Sequence, residues 1–137
     1  MNEGLESVDP VEAALKVAHI GSIRHHGPGR TDDTPLDVKA ESFVIPADVV
    51  SGLGQGNTEA GLRILERMFP DKGIERRDGG AVPIIAAGGE FVVPPEHVAR
   101  AGGGDIKKGH EVLREFVKKA RSETIRTLKK LPGPARG

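Results

Sequence analysis

Several residue types that commonly build or stabilise a protein are missing from this chain. It has no Cys, which excludes disulfides and thiolate metal sites. It has no Trp or Tyr and only four Phe, so aliphatic side chains must fill the core. Its 20 basic and 20 acidic residues cancel, which removes any global attraction to nucleic acid or to an anionic membrane.

Long apolar runs are also missing. No run approaches the roughly 18 residues of a membrane span, and the acidic N-terminus has no signal-peptide apolar region. We therefore expect a soluble protein made in a cytoplasm. The chain is rich, however, in backbone-constraining residues, with 19 Gly and 10 Pro. Because ordering costs most at Gly, we expect marginal stability alone and a gain from partners that bury more surface.

One stretch of the chain occurs twice. Segment 43–65, FVIPADVVSGLGQGNTEAGLRIL, aligns without a gap with segment 91–113, FVVPPEHVARAGGGDIKKGHEVL. The matching positions are apolar, Pro or Gly residues rather than reactive ones: Phe43, Val44, Pro46, Gly54, Gly56 and Gly61 in the first copy, and Phe91, Val92, Pro94, Gly102, Gly104 and Gly109 in the second. This pattern is typical of a duplicated packing unit and argues against an enzyme.

Each copy predicts two strands, a short helix and a longer helix. Apolar runs 82–87 and 90–93 flank Gly88-Gly89, which predicts a tight hairpin, with a weaker equivalent around residues 39–41. A Pro with an acidic residue two positions further on opens each short helix, 47–53 and 95–101, and a Gly ends it. Asn57 and Asp105 then cap the longer helices, of which the first stops at Pro70 and the second reaches about Leu131.

The expected fold class is α+β, with a small antiparallel sheet packed against helices. The two hairpins would join into one four-stranded sheet around a pseudo-two-fold axis. Alternatively, each hairpin would pair with a different subunit. The predicted organisation is an N-terminal helix and flexible arm (1–34), a first repeat unit (35–70), a linker loop (71–80) and a second repeat unit with a long C-terminal helix (81–137). Within the arm, we predict a helix from about 10 to 20 and a linker from 21 to 35.

The glycines predict packing rather than ligand binding. The Gly-rich turns at 54–56 and 102–104 precede helices, but no phosphate-loop motif is present and an amide or carboxylate cap follows each turn. We interpret them as helix–helix turns. Gly61 and Gly109 lie inside predicted helices, where Gly costs up to ~1 kcal/mol relative to Ala. Their shared position predicts a close backbone approach.

No catalytic, cofactor or metal site is predicted. His25 and His26 are adjacent in the arm, a weak metal signal because rigid elements do not hold them. His97 and His110 replace apolar residues of the first copy, which indicates tolerant, partly buried positions. Asp48 and Glu96 occupy equivalent positions, and we interpret them as charges favourable to a helix N-terminus rather than as a catalytic pair.

The last helix carries an excess of basic residues. Four lysines are candidates for contact with a nucleic-acid backbone: Lys118, Lys119, Lys129 and Lys130. No aromatic residues are interleaved for base stacking. The alternative is a solvated face in which Glu111 and Glu115 pair with nearby basic side chains.

Four segments carry a resemblance to a known group of proteins. GPGRTDDTPLDV, FVIPADVVSGLGQGNTEAG, VPIIAAGGEFVVPPEHVARAGGGD and TLKKLPGPA resemble a family, without assigned activity, encoded among the virion genes of tailed phages and prophages. The similarity spans about Gly27 to Arg136. The shorter pattern GGEFVVPPEHV is similar to segments of phage tail and tape-measure proteins, where Ala is more usual than Pro95. The resemblance implies no catalytic residues.

The resemblance and the repeat together predict a structural virion protein in several copies. Its expected partners are other virion proteins of the portal, head–tail or tail region, with no cofactor, no membrane and no enzymatic activity. The expected location is the virion, after synthesis in the host cytoplasm. The alternatives are a nucleic-acid-binding, packaging or ejection accessory protein acting through the basic helix, and a capsid decoration protein.

Overall fold

This computed structural model describes residues 16–24 and 34–130, with the backbone alone for residues 126–130. Four helices lie in these ranges. They are α1 (Ala47–Leu53), α2 (Thr58–Met68), α3 (Pro95–Ala101) and α4 (Ile106–Lys130). Asn57 accepts a hydrogen bond from the Ala60 amide at 2.9 Å, and Asp105 accepts one from the Lys108 amide at 3.1 Å. The four helices predicted within the repeats, and the caps Asn57 and Asp105, are therefore confirmed.

Short strands form three small antiparallel sheets in the same ranges. The strands are β1 (Lys16–Val17), β2 (Gly21–Ser22), β3 (Thr34–Val38), β4 (Phe43–Ile45), β5 (Arg77–Asp78), β6 (Val82–Ala86) and β7 (Phe91–Val93). β1 pairs with β5, β3 pairs with β6, and β2, β7 and β4 form a three-stranded sheet in that order. The α+β class with small antiparallel sheets is thus confirmed.

The predicted hairpins within each copy are wrong. β6 pairs with β3 and β7 pairs with β4, so each strand of one copy pairs with the equivalent strand of the other. Gly88-Gly89 does form a turn, in which the Glu90 amide donates to the Ala87 carbonyl and Gly89 has a φ of 92°. This turn carries the chain from one sheet to the next, and the same sequence signal serves a hairpin or a corner between layers.

The strand register establishes the predicted pseudo-two-fold axis. Leu36 faces Ile84 in the β3–β6 pair, and Val44 faces Val92 in the β4–β7 pair. Both are pairs of equivalent residues, so the axis passes through the centre of each ladder. The predicted single four-stranded sheet is replaced by two stacked ladders around this axis.

The three-stranded sheet separates two apolar clusters. Because side chains alternate across a strand, Ile45, Phe91 and Val93 face the helices and join the larger cluster. Val44 and Val92 face the β3–β6 ribbon and join the smaller one. The result is three layers, with helices, sheet and ribbon in that order, and each cluster contains residues of both copies.

Each helix pair is held together by a close backbone approach at a glycine. A Cβ added to Gly61 would lie 1.8 Å from the Val50 carbonyl oxygen, and one added to Gly109 would lie 1.8 Å from that of Val98. Gly54 and Gly102 are equally crowded by the following turn. The prediction of a close backbone approach at Gly61 and Gly109 is confirmed in both copies. The Gly-rich turns are helix–helix turns, as predicted.

The segment before the repeats differs from its prediction. Lys16–Val17 is a strand rather than the end of a helix, and Gly21–Ser22 is a strand rather than a linker. Ala18, Ile20 and Ile23 are buried, so residues 16–24 belong to the core and not to a flexible arm. The rest of the predicted helix and linker, including His25 and His26, lies outside the described residues. The predicted linker loop 71–80 contains β5, which pairs with β1.

Substitution of Gly61 by Ala tests the close approach of α1 and α2. We expect Gly61→Ala to lower the free energy of unfolding by about 3 kcal/mol, because overpacking outweighs the higher helix propensity of Ala. Gly109→Ala should have the same effect, measured by urea denaturation. The control is Gly80→Ala, whose Cβ would meet its nearest atom at an ordinary 3.5 Å. Equal stability of all three variants would contradict the packing described here.

Candidate interaction site

The first site of interest is the edge of β7, where β2 adds as a strand. Gly21 faces Val92 and Ser22 faces Phe91. The Ile23 amide donates to the Glu90 carbonyl at 2.9 Å, and the Ile23 carbonyl accepts from the Gly89 amide at 2.7 Å. β2 belongs to neither copy of the repeat, so an extended segment from outside the duplicated unit completes the sheet.

Two carboxylates of α2, Glu59 and Glu66, bind the side chains of the added segment. Arg24 donates to both carboxylate oxygens of Glu59, at 2.9 and 2.6 Å, and lies 2.9 Å from Glu66. The Ser22 hydroxyl also donates to Glu66, at 2.7 Å. Glu59 in turn accepts from Arg63 at 3.2 Å, one helical turn further along. Strand β2 is therefore attached to the sheet through its backbone and to α2 through its side chains.

The hydrogen bonds of this network shift the pKa values of Arg24, Glu59 and Glu66. The hydrogen bond from Arg24 lowers the pKa of Glu59 to about 2. Hydrogen bonds from Ser22, and then from Arg24, lower the pKa of Glu66. The same contacts raise the pKa of Arg24. All three groups are thus held in their charged forms.

A cleft of about 310 Å³ opens beside β2, with Ser22, Glu66, Phe69 and Asp71 among its lining residues. Arg24 also contributes to the wall. The charged residues that line the cleft already have partners, since Arg24 binds Glu66 and Asp71 pairs with Arg76. The described residues that line the cleft therefore present no unpaired charged group to a ligand.

Two further ion pairs join the copies through the equivalent carboxylates Asp48 and Glu96. Both lie in the first turn of a short helix, as predicted. Asp48 accepts two hydrogen bonds from Arg121 of α4, at 2.7 and 2.9 Å, and these lower the pKa of Asp48. Glu96 accepts from the buried Lys39, whose ammonium also donates to the Glu75 carbonyl at 2.8 Å. These carboxylates connect the two copies, a role that sequence reasoning missed.

The described histidines each contact a backbone carbonyl. His97 is buried and its Nε2 lies 2.6 Å from the carbonyl oxygen of Pro70. His110 is half-buried and lies 2.9 Å from that of Glu41, while His19 lies 2.9 Å from that of Ser22. No cluster of three or more potential metal ligands occurs among residues 16–24 and 34–125.

The basic face of α4 is partly neutralised. Lys118 pairs with Glu115 at 3.3 Å, as the solvated-face alternative predicts, and Arg121 is bound to Asp48. Lys119 is exposed. The side chains of Lys129 and Lys130 lie outside the described set. The four candidate lysines thus remain untested as a nucleic-acid contact.

The residues shared by the two copies all have structural positions. Phe43, Val44, Phe91 and Val92 form the paired strands β4 and β7. The prolines precede the short helices, at Pro46 and Pro94. The glycines lie at helix contacts or in turns, where Gly56 and Gly104 have φ values of 92° and 107°. The structure places these residues in the paired strands, at the starts of the short helices and in the helix contacts and turns.

Comparisons with known proteins add no assignment. No protein-family model, curated protein or solved structure matches this chain. Among the described residues, no helix is both long enough and apolar enough to cross a membrane.

The contacts of Arg24 predict that the stability of the fold falls at acidic pH. Since folding lowers the pKa of Glu59 from 4.5 to about 2, its ionised form stabilises the fold above pH 4.5. This contribution is lost as the pH falls through that range. We expect Arg24→Gln to reduce stability at pH 7 and to flatten the decline in melting temperature between pH 4.5 and 2.

The matched control is Arg63→Gln, which removes only the longer contact to Glu59 and should retain most of the acid sensitivity. A wild-type pH profile in Arg24→Gln would contradict the network.

Proposed function

We propose that this protein is a structural component of a tailed bacteriophage virion. In this proposal it is present in several copies and binds neighbouring virion proteins in the portal, head–tail or tail region. It acts by holding extended segments and surfaces in place, without catalysis or a cofactor.

The observation that carries this proposal is the addition of β2 to the edge of β7. The duplicated unit leaves a strand edge, and a segment from outside the unit fills it with backbone hydrogen bonds and side-chain ion pairs. Strand addition is a common way for one chain to capture another, since main-chain bonds supply affinity and side chains supply specificity. A module of this kind is suited to assembly.

An exposed apolar surface is consistent with further contacts. On the outer face of the β3–β6 ribbon, Pro35 lies opposite Ile85, which is 66% exposed. Val82 of the same ribbon and Val17 of β1 are exposed as well. The family resemblance of the GGEFVVP segment is what directs the proposal towards a virion, and within it towards the head–tail or tail region.

Purified particles provide the test. Mass spectrometry of gradient-purified virions should detect peptides of this chain at several copies per particle, at a constant ratio to the portal protein across the gradient peak. A non-virion protein of the same lysate serves as the control for carry-over. If this chain is abundant in the lysate but absent from the particles, the proposal fails.

A second candidate function is nucleic-acid binding through α4. The observation that favours it is a set of exposed basic side chains on this helix: Lys107, Lys108, Arg114 and Lys119. It ranks lower because Lys118 and Arg121 are already paired. Salt-dependent DNA binding, lost on replacing Lys118, Lys119, Lys129 and Lys130 by Gln, would support it. No binding at low salt would remove it. Capsid decoration is a third location that the same particle analysis addresses.

A further inference from the structure

The pseudo-two-fold axis creates a second strand-addition edge that the described chain does not fill. β7 is covered by β2 on one side, whereas β4 is the edge strand of the sheet. Since the axis relates β7 to β4, the position of β2 has an equivalent along the outer edge of β4. We propose that this edge binds an extended acidic segment of a neighbouring polypeptide as a further strand.

The backbone groups for such a strand are in place. The bond from the Ile23 amide to Glu90 means that Val92, two residues along, directs its N–H and C=O towards β2. Val44 is the partner of Val92 on the other side, so its own N–H and C=O turn away from β7, towards the open edge. Glu41 has a φ of 69°, which reproduces the turn that Gly89 forms beside β2 with a φ of 92°.

The residues of β7, whose edge is covered by β2, are more deeply buried than the equivalent residues of β4, whose edge is open. Phe91 and Val92 are 1% and 0% exposed, while their equivalents Phe43 and Val44 are only half-buried. At the open edge the hydroxyl oxygen of Ser42 is also buried without a hydrogen-bond partner among the described residues. A strand added to this edge would cover Phe43 and Val44 and would bring backbone polar groups to Ser42.

The charges beside the open edge specify the partner. Next to β2, the carboxylates Glu59 and Glu66 of α2 bind the cationic Arg24. Arg63 of α2 contacts Glu59. At the equivalent positions α4 carries Lys107, Glu111 and Arg114, so the sign is inverted at every position.

In a strand added to β4, a carboxylate at the position equivalent to Arg24 would thus lie beside the cations Lys107 and Arg114. A second copy of the segment that contains β2 and Arg24 would instead place a cation beside these two cations. We therefore assign the edge to an acidic segment rather than to a second copy of this chain.

This inference deepens the proposed assembly function, because it names the edge and the chemistry of the partner. Binding in solution does not depend on incorporation into a particle. A failure of the peptide experiment below would leave the virion proposal standing, and a failure of the particle analysis would leave the peptide result standing.

The test uses the full chain and two capped synthetic peptides. The first has the sequence of residues 18–25, AHIGSIRH, and the second is its R24E form, AHIGSIEH. In an amide-detected NMR titration, we expect the R24E peptide to bind at least tenfold more tightly than the native peptide. The shifts should be centred on Glu41, Ser42 and Val44.

A charge-reversal variant makes the test specific. Lys107→Glu combined with Arg114→Glu should reverse the preference, so that the native peptide binds more tightly. Lys108→Glu with Lys119→Glu makes the same charge change on another face of α4 and should leave the preference intact. Both pairs are exposed, so folding should be unaffected.

Three outcomes would overturn the proposal. The first is no saturable binding of the R24E peptide, and the second is a response centred on β7 rather than β4. The third is equal or tighter binding of the native peptide, which would identify a second copy of β2 as the occupant.

Discussion

The pairing of β4 with β7 across the pseudo-two-fold axis is the contact on which both apolar clusters of the protein depend. Ile45, Phe91 and Val93 present one side of this pair to the helices, and Val44 and Val92 present the other to the ribbon. Neither copy contains a complete cluster by itself. The ion pairs of Asp48 and Glu96 also run between copies. The duplication is therefore an internal dimer in one chain, with a core shared between its halves.

The close approach within each helix pair explains which residues the copies share. Gly61 and Gly109 allow the second helix of each copy to lie against a carbonyl of the first, and Gly54 and Gly102 allow the intervening turn. The surfaces around this scaffold differ. α2 ends at Met68, whereas α4 continues far enough for Arg121 to bind Asp48. One edge holds an acidic set of side chains and the other a basic set, so the halves are suited to different partners.

Sequence reasoning located the helices well because their signals are local. Caps such as Asn57, prolines and terminal glycines act within one turn, and the crowded Gly61 and Gly109 were recognisable from their shared position. Strand partners are a non-local choice, and Gly88-Gly89 fits a corner as readily as a hairpin. Gly21 and Ser22 lack any strand pattern, so the added strand was missed. The Arg24 network depends on residues distant in the chain and becomes visible only once β2 lies beside α2.

The central claim is that equivalent strands of the two copies pair with each other, and a disulfide between directly opposed residues tests it most directly. The chain has no Cys, so Leu36→Cys with Ile84→Cys introduces one defined pair. Opposed residues of an antiparallel pair lie about 4.5–5.5 Å apart at Cα, within disulfide range. Mild oxidation should give rapid, intrachain crosslinking with unchanged spectra. Failure to crosslink in the folded protein, or crosslinking only between chains, would contradict the account.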